Sequence, residues 1–315
     1  GQYFAVFLTK LSHTKVELTY NLMRTFVAGL AFAMPFSLVY QMMSDRMKGL
    51  QKSEKVIKGL PFAAGFTAGT AVSIAGNMHY VIYAQIIPLI EKLTGKEVSS
   101  YWFPDATRYI GYNPYREEDR TIHEFPCYSF VLGDLHAHVV NIMFVLLVIA
   151  LLYVWLRGVR KKTVPVETSM KDGKFWKEQL LMPHLLVISA LLGMFQWTNF
   201  WDFVIYYVVT LGTVLFANII RFQGKIKKIM VVTFAQMAEI YLLAYLVILP
   251  FTLQFDTMVD GIGIAKYHSY FYQLLVLWGL PAVFTITFVI SILWEKLRGM
   301  EHKSLYRLMK AIRTA

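Results

Sequence analysis

The sequence predicts an all-α polytopic membrane protein with about seven transmembrane helices and one long structured outer loop, residues 83–138. Three observations carry that prediction. Hydrophobic residues make up 57% of the chain and charged residues only 16%, where a soluble domain carries about a quarter charged. Apolar stretches of about 17–25 residues, long enough to cross a bilayer as helix, recur along the chain. The period-two alternation of a membrane barrel is not found, and a lone strand in lipid would leave its backbone unpaired.

Taken in order, the predicted spans are 26–43, 60–82, 139–156, 183–198, 203–220, 229–251 and 271–294. Pro35 lies inside the first, and Gly65, Gly69 and Gly76 along the second point to kinks and close helix contacts. The fourth is short and runs almost directly into the fifth. The expected organisation is an outer segment 1–25, a bundle 26–294 that includes the loop, and a basic cytoplasmic tail 295–315. A start at Gly1 without a charged n-region reads as a cut through a longer polypeptide rather than a signal peptide. The single cysteine, Cys127, excludes an internal disulfide and a cysteine-cluster metal site.

The formal net charge of +11 is read as a topology signal. Segments 44–59, 157–182, 221–228 and 295–315 hold more than two thirds of the 31 Lys and Arg residues. These segments alternate correctly with seven spans, so all fall on one side, which the positive-inside rule makes the cytoplasm. Nucleic acid is therefore not an expected partner, and the expected location is the cell membrane, multi-pass. The opposite face carries more carboxylates than cations.

Unusual polar residues collect on that outer face. His123-Glu124-Phe125-Pro126 is followed by Gly133-Asp134-Leu135-His136-Ala137-His138, immediately before the third span. In an extended chain Asp134, His136 and His138 point the same way; in a helix Asp134 and His138 share a face and His136 turns aside. Imidazole and carboxylate at a membrane surface suit a divalent metal (Mg or Mn), a phosphate or proton transfer. They equally suit capping of the helix start. Glu124, Asp134, His136 and His138 are thus the catalytic candidates, with Asp134, His136 and His138 as the candidate metal set.

The tight turn between spans four and five contains Asn199, Trp201 and Asp202. Its tryptophans fit an interfacial belt, while Asp202 between two apolar helices must find a partner, cap a helix or neutralise. Asp256 and Asp260, near Gly261 and Gly263, lie in the outer loop between spans six and seven; a turn uses the same residues. These five polar and aromatic residues are the substrate-binding candidates. Glu239 is the one acidic residue placed inside a span, a functional candidate or the partner of a helix-end lysine.

At these residues the chain resembles the YYY membrane protein family. Glu124-Phe125-Pro126 with Gly133-Asp134-Leu135-His136-Ala137-His138 is similar to its Glu-Phe-Pro and Gly-Asp-Leu-His-x-His pattern. Asn199-Phe200-Trp201-Asp202 is similar to its Asn-x-Trp-Asp-x-Pro-x-Tyr, with Val204 in the place of the proline. Gly1-Gln2-Tyr3 and Tyr20-Asn21-Leu22 resemble the segment after the triple tyrosine that names the family. That family in turn resembles the multi-pass GT-C glycosyltransferases. The resemblance implies a transferase acting on a polyprenyl-phosphate-linked sugar at the outer face, its catalytic base in a loop upstream of Gly1 or only partly present. A transporter or flippase of a lipid-linked or anionic substrate, and a non-enzymatic envelope scaffold, are the competing expectations.

Overall fold

The computed structural model describes residues 2–48, 54–161, 169–255 and 264–298. Among them the regular structure is all helical, with no strand, and its apolar helices are those of a polytopic membrane protein. Among the described residues five helices are each long and apolar enough to cross a membrane. They are Val16–Met47, Ala137–Lys161, Phe200–Phe222, Ile226–Thr252 and Phe271–Leu297. A sixth crossing is available if Gly173–Leu180 and Pro183–Thr198, bent by 50° at their junction, act as one span.

The count falls below seven chiefly because the second predicted span, 60–82, is not one helix. Its helix, Glu54–Ser73, stops at Ser73. Ile74 and Ala75 both turn their N–H groups onto the Thr70 carbonyl. The Asn77 side chain then donates to the Ala106 carbonyl at 2.6 Å and accepts from the His79 N–H at 3.1 Å. An asparagine that bonds its own backbone two residues on makes a turn. The first predicted span also changes its bounds, since its helix starts at Val16 rather than near residue 26, and Gln2–Ser12 is a helix as well.

The chain divides into two compact units. The first, Gly1–Ala75 with Ser129–Ile262, contains α1 (Gln2–Ser12), α2 (Val16–Met47) and α3 (Glu54–Ser73). It also contains α6 (Ala137–Lys161), α7 (Gly173–Leu180), α8 (Pro183–Thr198), α9 (Phe200–Phe222) and α10 (Ile226–Thr252). Between α3 and α6 in the chain come α4 (Ile87–Leu93) and α5 (Pro126–Leu132). The core of the first unit is a buried cluster from α6, α8, α9 and α10 that includes Leu152, Ile188, Phe195, Val214 and Ile240. A second cluster joins Ala5 of α1, Met23 and Val27 of α2, and Leu135, Val139 and Val140 around the start of α6.

Glycine sets two of the helix contacts. A Cβ on Gly65 would lie 2.8 Å from the Phe36 carbonyl, and one on Gly69 would lie 2.9 Å from Phe32. The close approach of α3 to α2 is what this small-residue pair predicts. Polar links show which helix ends share a side of the unit. Asn141 near the start of α6 bonds Asp202 near the start of α9, whereas Arg157 near the end of α6 pairs with Asp45 near the end of α2. The helices α2, α6 and α9 therefore run in one direction.

The second unit, Gly76–Tyr128 with Gly263–Ala315, holds most of the long loop and α11 (Phe271–Arg298). The expected structured loop contains a π-helical turn, Val81–Ile86, continuous with α4, and two 3-10 turns, Phe103–Thr107 and Glu117–Asp119. It is tied to α11 through the Asn113 carbonyl, which accepts from Tyr272 at 2.8 Å and Gln273 at 2.6 Å, and through Met78 N–H on the Val276 carbonyl.

Candidate functional site

The start of α6 is built by a turn. Gly133 adopts φ +78°, a conformation that glycine enters without strain, and Gly133 and Asp134 both donate their N–H groups to the Ser129 carbonyl. A side chain at Gly133 is also excluded by packing, because its Cβ would lie 2.0 Å from the Arg24 guanidinium. Arg24 of α2 thus stands against the backbone one residue before Asp134, and it takes part in none of the ion pairs found among the described residues.

Asp134 is held from two sides. Its Oδ2 pairs with His136 Nε2 at 2.9 Å, and its Oδ1 accepts from the Tyr20 hydroxyl at 3.4 Å. The same hydroxyl accepts the Leu135 N–H at 3.0 Å, fixing the chain as it enters the helix. His138 lies parallel to His136, ring centroids 5.7 Å apart. The backbone carbonyl of His136 accepts from Val139 and Val140 and opens the first turn of α6. A carboxylate beside an imidazole orients its ring. Both members are accessible, at 42% for His136 and 44% for Asp134.

One turn into α6, the buried Asn141 connects this cluster to the turn between α8 and α9. Its amide donates to Asp202 Oδ2 at 2.5 Å and its carbonyl accepts from the Thr198 hydroxyl at 3.1 Å. Asp202 therefore has a partner across helices and is not a helix cap; Asn199 occupies the N-cap position of α9, without a side-chain capping bond. Trp201 is 69% exposed and meets Phe200 edge to face, as an interfacial tryptophan does.

Of the sequence candidates, Asp134, His136, His138, Asn199 and Asp202 thus come to one end of the first unit. Tyr20, Arg24 and Asn141 join them and were not among the candidates. Asn141 carried a signal, an amide in an otherwise apolar span, three residues beyond His138. Glu124 lies in the second unit, half-buried between His123 and Phe125. Asp256 and Asp260 lie outside the described residues.

Among the described residues no group of three or more His, Cys, Asp or Glu side chains is placed to hold a metal ion, and Asp134 of the candidate metal set pairs with His136. Glu239, in α10, has a buried Oε2 with no hydrogen-bond partner among the described residues.

In the second unit, His123 is a structural group. Its Nε2 accepts the Tyr109 N–H at 3.2 Å, and its own N–H bonds the Thr107 carbonyl. Burial, with His79 nearby, pushes the imidazole down to about 4. His79 stacks on Tyr83, and Tyr83 shares a hydrogen bond with Tyr109 at 2.7 Å.

A model of the uncharacterized membrane protein family DUF2298 matches residues 1–315. The chain belongs to that family. No curated protein and no solved structure matches it. Membership of DUF2298 agrees with the apolar helices in placing the chain in a membrane as a multi-pass protein.

Proposed function

We propose that this DUF2298 protein is the membrane-embedded part of a transferase of the GT-C type, and that the cluster at the start of α6 receives a sugar carried on a polyprenyl phosphate. The observation that supports this reading most is the carboxylate–imidazole pair Asp134–His136 beside the Arg24 guanidinium, at the end of a bundle of apolar helices. Arg24 faces the lipid phosphate and offers the planar donor set that phosphate accepts. An acceptor hydroxyl attacks the anomeric carbon while the bond from that carbon to the phosphate oxygen breaks. The lipid phosphate departs and the acceptor proton passes to the Asp134–His136 pair. Asp202, positioned by Asn141, orients the acceptor, and Trp201 marks the interface where lipid enters. The arrangement of the basic segments supports placing this end away from the cytoplasm.

The test is glycan transfer in membranes from the full-length protein carrying Asp134→Ala or His136→Ala. Loss of a positioned acid–base group costs typically about 10²–10⁴-fold, so both variants are expected to fall by at least that lower bound with wild-type membrane levels. Wild-type transfer in both would sink the assignment. A second reading, a transporter or flippase of the lipid-linked substrate, is favoured by Glu239, a half-buried carboxylate within an apolar helix whose Oε2 is buried and has no hydrogen-bond partner among the described residues, since an intramembrane ionisable group marks transport and proton paths. Flipping in proteoliposomes that survives Asp134→Ala but not Glu239→Gln would establish that reading instead.

A further inference from the structure

At the opposite end of the first unit is a cavity of about 530 Å³, within the size range of small-molecule sites. It is unrelated to the cluster around Asp134: along α9, Asp202 and Arg221 are separated by roughly 29 Å at 1.5 Å per residue, close to the thickness of a hydrocarbon core. The cavity lies among the ends of α6, α7, α8 and α9, where the basic segments begin.

Its walls combine apolar surface, including Trp155, Met182 and Ile220, with the cation Arg221. Arg221 is half-buried, and its hydrogen bonds go to neutral groups. It donates to Asn218 Oδ1 at 3.2 Å and to Gln179 Oε1. Those acceptors are themselves fixed: Asn218 donates to Gln236 Oε1 at 2.8 Å and to Thr233 at 3.1 Å, and Gln236 donates to the Gln179 carbonyl at 3.0 Å. The network thus orients a guanidinium and leaves its charge uncompensated; Arg221 takes part in none of the ion pairs found among the described residues.

On the same cavity stands His184, in the first turn of α8, its ring tilted against Trp155 at 5.0 Å. Its Nε2 is buried and has no hydrogen-bond partner among the described residues. A buried polar atom left without a partner costs stability and is usually met by a ligand or water. Glu178 also lines the cavity, but it is exposed to solvent, where its charge is screened.

We infer that this cavity binds the phosphate headgroup of a membrane lipid, with Arg221 as the cationic anchor and His184 as its hydrogen-bonding partner. Basic pockets between membrane helices recognise lipid headgroups by this chemistry. The predominantly apolar wall, at a helix end in a membrane protein, favours a lipid over a soluble anion. Lys228 lies nearby on the rings of Phe175 and Phe222, at 4.6 and 5.0 Å, and adds positive potential.

The experiment is native mass spectrometry of the full-length chain, purified in detergent and stripped of lipid. It is titrated with dioleoylphosphatidylglycerol, with dioleoylglycerol as the phosphate-free lipid, and with inorganic phosphate as competitor. Phosphatidylglycerol is expected to bind, and Arg221→Met to weaken it by about tenfold or more, the scale of one charged hydrogen bond. Arg221→Lys is expected to retain part of the affinity, and His184→Phe, which leaves the Arg221 network intact, to weaken it as well. Dioleoylglycerol binding as tightly as phosphatidylglycerol, or affinity unchanged in both Arg221→Met and His184→Phe, would overturn the proposal. Displacement of the lipid by millimolar phosphate would overturn its lipid part and assign the cavity to a soluble anion.

Discussion

At the scale of single residues, what distinguishes this chain is where polar side chains find partners inside apolar helices. Asp202 illustrates it. An ionised carboxylate near the start of an apolar helix is costly unless it is hydrogen-bonded, and Asn141 supplies the bond from a different helix. Histidine shows the opposite solution, since His123 stays neutral by burial. Unfolded, a histidine takes up its proton near pH 6.5, whereas folded His123 resists to about 4. The unfolded chain therefore binds more protons between those values, so this contribution to stability is complete above about pH 6.5 and is lost as pH falls toward 4. Limited proteolysis within residues 76–128 should be faster at about pH 5 than at about pH 7.5. His123→Gln, which keeps an acceptor for the Tyr109 N–H, should flatten that dependence. A wild-type chain cut at the same rate at both pH values would contradict the role given to His123.

At the scale of elements, helix identity was legible from composition and helix boundaries only in places: the predicted 183–198 is the helix Pro183–Thr198, whereas 26–43 lies within the longer Val16–Met47. Long apolar runs announce membrane helices wherever the bilayer, rather than a neighbour, is the solvent, and the predicted spans at 139–156, 203–220, 229–251 and 271–294 all lie inside observed helices. The run 60–82 failed because its break depends on Asn77 reaching the Ala106 carbonyl, a tertiary contact that hydropathy does not record. The helix Gln2–Ser12 was missed for a related reason: Ala5 is buried against Met23 and Leu135 and not against lipid. The same logic hid half of the candidate site. Asp134, His136 and Asp202 stand out as polar groups beside apolar runs, but Arg24 lies in the outer segment 1–25 that precedes the predicted spans, and Asn141 reads as part of a span. Packing between elements makes its own prediction. A Cβ at Gly193 of α8 would meet the Ala244 backbone carbonyl of α10 at 2.6 Å, while one at Gly212 of α9 would meet nothing within 4 Å. Gly193→Ala should lower thermal stability in detergent by about 1–3 kcal/mol through overpacking. Gly212→Ala should raise it by up to about 1 kcal/mol through helix propensity. Equal shifts in the two variants would mean that α8 and α10 do not approach as described.

At the scale of the whole molecule, the first unit is polarised along its helix axes. The Tyr20–Arg24–Asp134–His136 cluster and the Asn141–Asp202 link occupy one end, while the Asp45–Arg157 pair and the cavity lined by Arg221 occupy the other. The proposed transferase requires the donor phosphate and the acceptor to meet at one surface, so it depends on the first of these ends facing one side of the membrane. The measurement that tests it most directly is labelling of single-cysteine variants, in a Cys127→Ala background, with a membrane-impermeant thiol reagent applied to sealed vesicles. Cysteines placed at His136 and Trp201 should react from the same side, and one placed at Lys225 only after the vesicles are opened or inverted. Reaction of His136→Cys and Trp201→Cys from opposite sides would separate Asp134 from Asp202 and remove the proposed site.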